Sequence, residues 1–65
     1  MSEFIVFFEN GVTTKVEADK IVDSDNFINF YVSTKVKDTD VDSLVAQFLK
    51  SKIAGYAKSS AIKEV

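Results

Sequence analysis

The chain reads as a small all-β domain, and three observations carry that reading. Residues 3–9, Glu-Phe-Ile-Val-Phe-Phe-Glu, form an apolar run of strand length. Asn10-Gly11 follows, a dipeptide preferred at the centre of tight hairpin turns. Residues 12–18 then set Val12, Thr14, Val16 and Ala18 against Thr13, Lys15 and Glu17, the two-residue period of a strand with one wet face.

The first strand is apolar on both sides. Phe4, Val6 and Phe8 point one way, Ile5 and Phe7 the other. A strand wetted on one face does not need that second set, so both faces are covered, within the domain or by a partner. The Asn10-Gly11 turn is expected to be type I′, with positive φ at both residues. Residues 18–22, Ala-Asp-Lys-Ile-Val, break the alternation, and one extra residue there implies a bulge or bend. Residues 23–26, Asp-Ser-Asp-Asn, are a turn cluster whose side chains bond their own backbone. The third strand covers residues 27–33, with Ile28, Phe30 and Val32 facing the core. Phe27, Asn29, Tyr31 and Ser33 face the other way. Residues 34–43 are polar and charged and read as the longest loop.

Residues beyond 43 admit two readings. As a helix, Thr39 caps, Asp40 and Asp42 fill the first turn, and Val41, Leu44, Val45, Phe48 and Leu49 share a stripe. Further on, Lys52 and Gly55 fall on the same stripe, the glycine at about 1 kcal/mol. As strands, residues 44–48 and 53–57 are two short runs joined by a tight polar connection, Leu49-Lys50-Ser51-Lys52. Burial favours strands, because two more of them cover one face of the first. The expected fold is therefore a single domain, residues 1–65, either an antiparallel meander or an SH3-like five-stranded barrel. The alternative is α+β, a three-stranded antiparallel sheet with one helix over residues 41–58. Residues 59–65 are expected to be an edge strand or a frayed tail.

Composition removes several chemistries. A chain of 65 residues buries only about 60% of its unfolded surface and is marginal without added burial. Cysteine and histidine are both absent, so neither a disulfide nor a zinc site supplies it. No catalytic residues, metal or cofactor are expected, and the chain reads as non-enzymatic: the usual bases and nucleophiles are missing. An EF-hand loop starting at Asp38 fails at Ser43, where glycine is needed, and at Leu49, where glutamate is needed. Gly11 and Gly55 are too few for a phosphate loop. No apolar run is long enough to span a bilayer. Met-Ser-Glu lacks a basic leader region, so the expected compartment is the cytoplasm.

Net charge is −2, and every basic residue is lysine. Both facts oppose nucleic acid, where phosphate neutralisation dominates and arginine supplies bidentate contacts. Residues 1–42 carry net −5 and residues 43–65 net +3, halves that can pair between copies. Lysine without arginine, with many Phe, Ile and Asn, also suits an AT-rich genome such as that of a phage or mobile element.

What remains is surplus aromatic surface. Phe7, Phe27 and Tyr31, with Asn29 beside them, face away from the expected core, and aromatic side chains are enriched at interface centres. The first expectation is a self-associating binding module that docks on a larger protein, an adaptor or a phage-type inhibitor of a host factor. The second is an oligomer that sequesters a small anionic, nucleotide-like ligand, with Tyr31 or Tyr56 stacking and Lys50 or Lys52 meeting the charge. A nucleic-acid-binding barrel is third: its aromatics fit and its charge does not.

Overall fold

A computed structural model describes residues 1–61 and consists of two three-stranded antiparallel sheets. The strands are β1 (Ser2–Phe8), β2 (Thr13–Ala18), β3 (Lys20–Asp23), β4 (Phe27–Val36), β5 (Thr39–Leu49) and β6 (Ile53–Lys58). One sheet has the order β2-β1-β6, the other β3-β4-β5. Single 3-10 turns, Lys50–Lys52 and Ser59–Ala61, follow β5 and β6. The all-β expectation holds, and the helix over 41–58 does not form. No helix among the described residues is long and apolar enough to cross a membrane.

β2 and β3 are one strand bent at Asp19, as the broken alternation implied. Ala18 is buried from the first sheet, and Ile21 packs on the same core from the second. The bend is fastened because Asp19 N–H donates to Tyr31 O at 2.8 Å. Counted through the bend, the molecule is five-stranded with the last strand beside the first, the strand order of a small SH3-like barrel.

The core lies between the sheets. Phe4 and Val6 of β1, Ala18 of β2, and Ile28 and Phe30 of β4 are buried. Phe30 is its hub, meeting Phe4 at 5.8 Å, Phe48 at 5.8 Å and Tyr56 at 6.0 Å between ring centroids, all edge to face. Such pairs add about 0.5–1.5 kcal/mol each beyond area burial. The first strand divides as its alternation required: Phe4 and Val6 are buried, Phe8 packs on the core, and Phe7 is exposed.

Two turns differ from the sequence expectation. At Asn10-Gly11 only the glycine has positive φ, +87°. Gly11 N–H donates to Phe8 O at 3.0 Å and Asn10 Oδ1 accepts from Val12 N–H at 3.0 Å. The loop is thus three residues long, a turn closed by a left-handed glycine, and not type I′. The type I′ geometry lies instead at Lys37 (φ 50°) and Asp38 (φ 64°), between the paired residues Val36 and Thr39. Residues 34–43 are therefore no loop: β4 and β5 run straight through them as a long hairpin. Their polarity reflects solvent on the strands, not irregular backbone.

Bulges adjust the faces. Phe30 pairs with Ala46 but Tyr31 with Leu44, leaving Val45 as the extra residue in β5. Phe7 pairs with Gly55 but Phe8 with Ile53, leaving Ala54 extra in β6. The expected connection at 49–52 is present as the 3-10 turn. Of the expected tail, Ser59–Ala61 is a 3-10 turn and residues 62–65 lie outside the described ones.

Candidate functional site: the outer face of β3-β4-β5

The face of this sheet turned away from the core is set by the register. Its rungs are Lys20–Tyr31–Leu44, Val22–Asn29–Gln47 and Phe27–Leu49. Val22, Leu44 and Leu49 are exposed, as is Val45 at the bulge, with Phe27 and Tyr31 half-buried among them. Asn29 is buried at their centre and fully engaged. Its Oδ1 accepts from Gln47 Nε2 at 2.9 Å, and its Nδ2 donates to Ser24 Oγ at 3.4 Å. A buried amide costs little when its hydrogen bonds are met. The middle of the patch is therefore neutral and internally satisfied, with apolar side chains around it.

Charge is confined to one end. Lys20 forms an ion pair with Asp42 and stands 5.9 Å from the Tyr31 ring centroid. Asp42 also accepts from Ser33 Oγ at 2.6 Å. The hydrogen bond from Lys20, then that from Ser33, holds the Asp42 carboxyl below its usual range. The hydrogen bond to Asp42, more than its charge, raises Lys20. Both side chains are solvent-exposed, so these contacts orient more than they stabilise.

Of the four side chains expected to meet a partner, the fold brings Phe27, Asn29 and Tyr31 onto this one face. Phe7 lies elsewhere, on the outer face of the other sheet between Thr13 and Gly55. The alternative ligand set is dispersed. Lys50 and Tyr56 line a cleft of about 320 Å³ with Asp23, Ile28, Ile53 and Gly55, and Lys50 is already paired with Asp23. Lys52 lines a separate cleft beside Phe8 and Glu9, and Tyr31 is on the outer face. No cluster of three or more metal-binding side chains occurs among the described residues.

Val22, Leu44, Val45 and Leu49 complete the patch and were not singled out from sequence. Three of the four belong to the helical stripe, and a helix would have buried them. In β5 only Phe48 of that stripe packs on the core, while Val41, Leu44, Val45 and Leu49 are left in solvent. The signal was present as apolar residues too frequent for one face of a strand.

No family model, curated protein or solved structure matches this chain.

Proposed function

We propose that this chain is a non-enzymatic, self-associating binding module that works through protein–protein contact on the outer face of β3-β4-β5. The carrying observation is the exposed ring of Val22, Leu44, Val45 and Leu49 around the satisfied Asn29–Gln47 pair, with Phe27 and Tyr31 as half-buried aromatic anchors. An apolar patch with a closed polar centre offers area and shape but no charge for a small anion. Among the described residues ten large apolar side chains stay exposed, against five buried and six packed on that core, so apolar area is left for association to bury. Its size and lysine-only basic composition suit a phage-type inhibitor or small adaptor acting in the cytoplasm on a larger host protein.

Sedimentation velocity from micromolar to near-millimolar protein tests the self-association. A concentration-dependent dimer is expected; a strict monomer throughout would remove the reading. A small-ligand reading keeps one support, the shared cleft of Lys50 and Tyr56. Thermal shift against a nucleotide panel addresses it, since a ligand bound only by the folded state raises Tm by mass action.

A further inference from the structure

A cleft lies where the end of β3, the Lys50–Lys52 turn and β6 meet. It holds about 320 Å³ and is lined by Asp23, Ile28, Lys50, Ile53, Gly55 and Tyr56. Asp23 pairs with Ile28 across β3 and β4, and Ile28 belongs to the core. The cleft is therefore on the core side of this sheet, opposite the Asn29–Gln47 face.

Its floor is apolar and fixed. Ile28 is buried, Ile53 packs on the same core, and the Tyr56 ring is held edge to face on Phe30 at 6.0 Å. The main chain around it is tied down as well. Lys50 N–H donates to Asn26 O at 2.9 Å and Ser24 N–H to Phe27 O at 2.9 Å, so the two turns that carry the rim keep their spacing. The rim side chains are looser. Lys50 and Asp23 form an ion pair with both partners exposed, and such a pair contributes little in water. A preformed apolar floor with a few polar groups at its edge is the usual build of a small-molecule site, and this volume is at the low end for one.

The rim selects the ligand. It carries one cation and one anion in contact, so its net charge is zero. A phosphate or nucleotide would engage Lys50 and leave Asp23 facing a second anion. A wholly apolar ligand would leave the pair untouched. A molecule with both charges on one carbon turns the pair into a ring of four alternating charges, its carboxylate on Lys50 and its ammonium on Asp23, each contact a charge-assisted hydrogen bond. An apolar side chain on that carbon then lies against Ile28, Ile53 and Tyr56. We propose that this cleft binds a free α-amino acid with an apolar side chain. The site is separate from the docking face and does not depend on self-association; it gives the cleft a ligand class other than a nucleotide.

The test is an NMR titration of the dilute full chain with L-leucine. Saturable shifts are expected at the amides of Asp23, Ile28, Lys50, Ile53, Gly55 and Tyr56, with those of Tyr31 and Leu44 unmoved. Glycine lacks the side chain, and N-acetyl-leucine and leucine amide each lack one charge; all three should bind at least tenfold more weakly. A long ω-amino acid, with its charges far apart, should do the same. Asp23→Asn and Lys50→Gln, both at exposed positions, should each weaken leucine at least tenfold with an unchanged circular dichroism spectrum. Combining Asp23→Lys with Lys50→Asp should recover most of the binding, because both charges are again present. Shifts confined to Tyr31 and Leu44, or no saturable shift at all, would overturn the site. Equal affinity for leucine, N-acetyl-leucine and inorganic phosphate would overturn the two-charge ligand. Sedimentation of the same samples reports self-association separately, so a strict monomer that still binds leucine removes the dimer and keeps the site.

Discussion

The two halves of β4 are built from the same alternation and meet opposite fates. In the first half Ile28 and Phe30 are buried against the other sheet; in the second, Val36 on the same face is 54% exposed. The difference is the layer opposite. Phe4 and Tyr56 of the other sheet close over Phe30, whereas residues 32–43 project as a two-stranded arm beyond the end of β3. Alternation therefore sets which way a side chain points, and the second layer decides whether pointing inward means burial. A two-stranded ribbon is marginal alone. Here its base is held by the Lys20–Asp42 pair and the Asp19–Ser33 bond.

Phe30→Ala should show the largest contrast. Loss of the hub costs about 3–5 kcal/mol, a large share of the roughly 5–15 kcal/mol total stability of a domain. Urea titration followed by circular dichroism should find the variant largely unfolded, while Val36→Ala in the arm changes the midpoint within about 0.5 kcal/mol. An equal loss from both would show that the arm is part of the core.

Asn29→Ala comes next. It strands the Gln47 amide and Ser24 hydroxyl and should cost about 1–3 kcal/mol, read by the same titration. A smaller loss from Asn29→Ala with Gln47→Ala than the sum of the singles would confirm their coupling.

Replacing Lys37-Asp38 with Asn-Gly should stabilise by about 1 kcal/mol, because two non-glycine residues now hold left-handed φ. Thermal melting measures it, and no gain would mean the arm tip is uncoupled from global unfolding.

The smallest effect is electrostatic. The depressed Asp42 carboxyl contributes fully above its ordinary 3.8 and loses that contribution as pH falls through the lower folded value. Lys20, raised, contributes fully below 10.5 and loses it as pH climbs through the higher folded value. Arm amides should accordingly exchange faster, beyond the intrinsic pH trend, only at those two extremes, and Asp42→Asn should abolish the acid limb.

Much of the fold was legible because strong local rules agreed. Phe4, Val6, Ile28 and Phe30 were separated from Phe7 and Tyr31 by period alone, and the break at Asp19 marked the strand shared by both sheets. The β4–β5 turn was not legible, since Lys37-Asp38 lacks the glycine that marks a two-residue hairpin turn and its neighbours are hydrophilic. The candidate face was half legible: alternation alone sets Phe27, Asn29 and Tyr31 on one side of their strand, and the register keeps them there. Val45 and Leu49 share a face by alternation once β5 is a strand, but Leu44 joins them only through the Val45 bulge, which periodicity does not locate. Phe7 was grouped with them because sequence separates inward from outward without saying which sheet's outer side a residue occupies.

The place of β1 between β2 and β6 has a consequence for synthesis. β1, the greasiest segment, is made well before β6, so one of its two flanks is completed only by Ile53–Lys58. Until then the main-chain groups on that side of β1 wait unpaired. Pairing between strands so far apart in sequence is intrinsically slow, so chains truncated before Ile53 should aggregate, while chains that include Ile53–Lys58 fold.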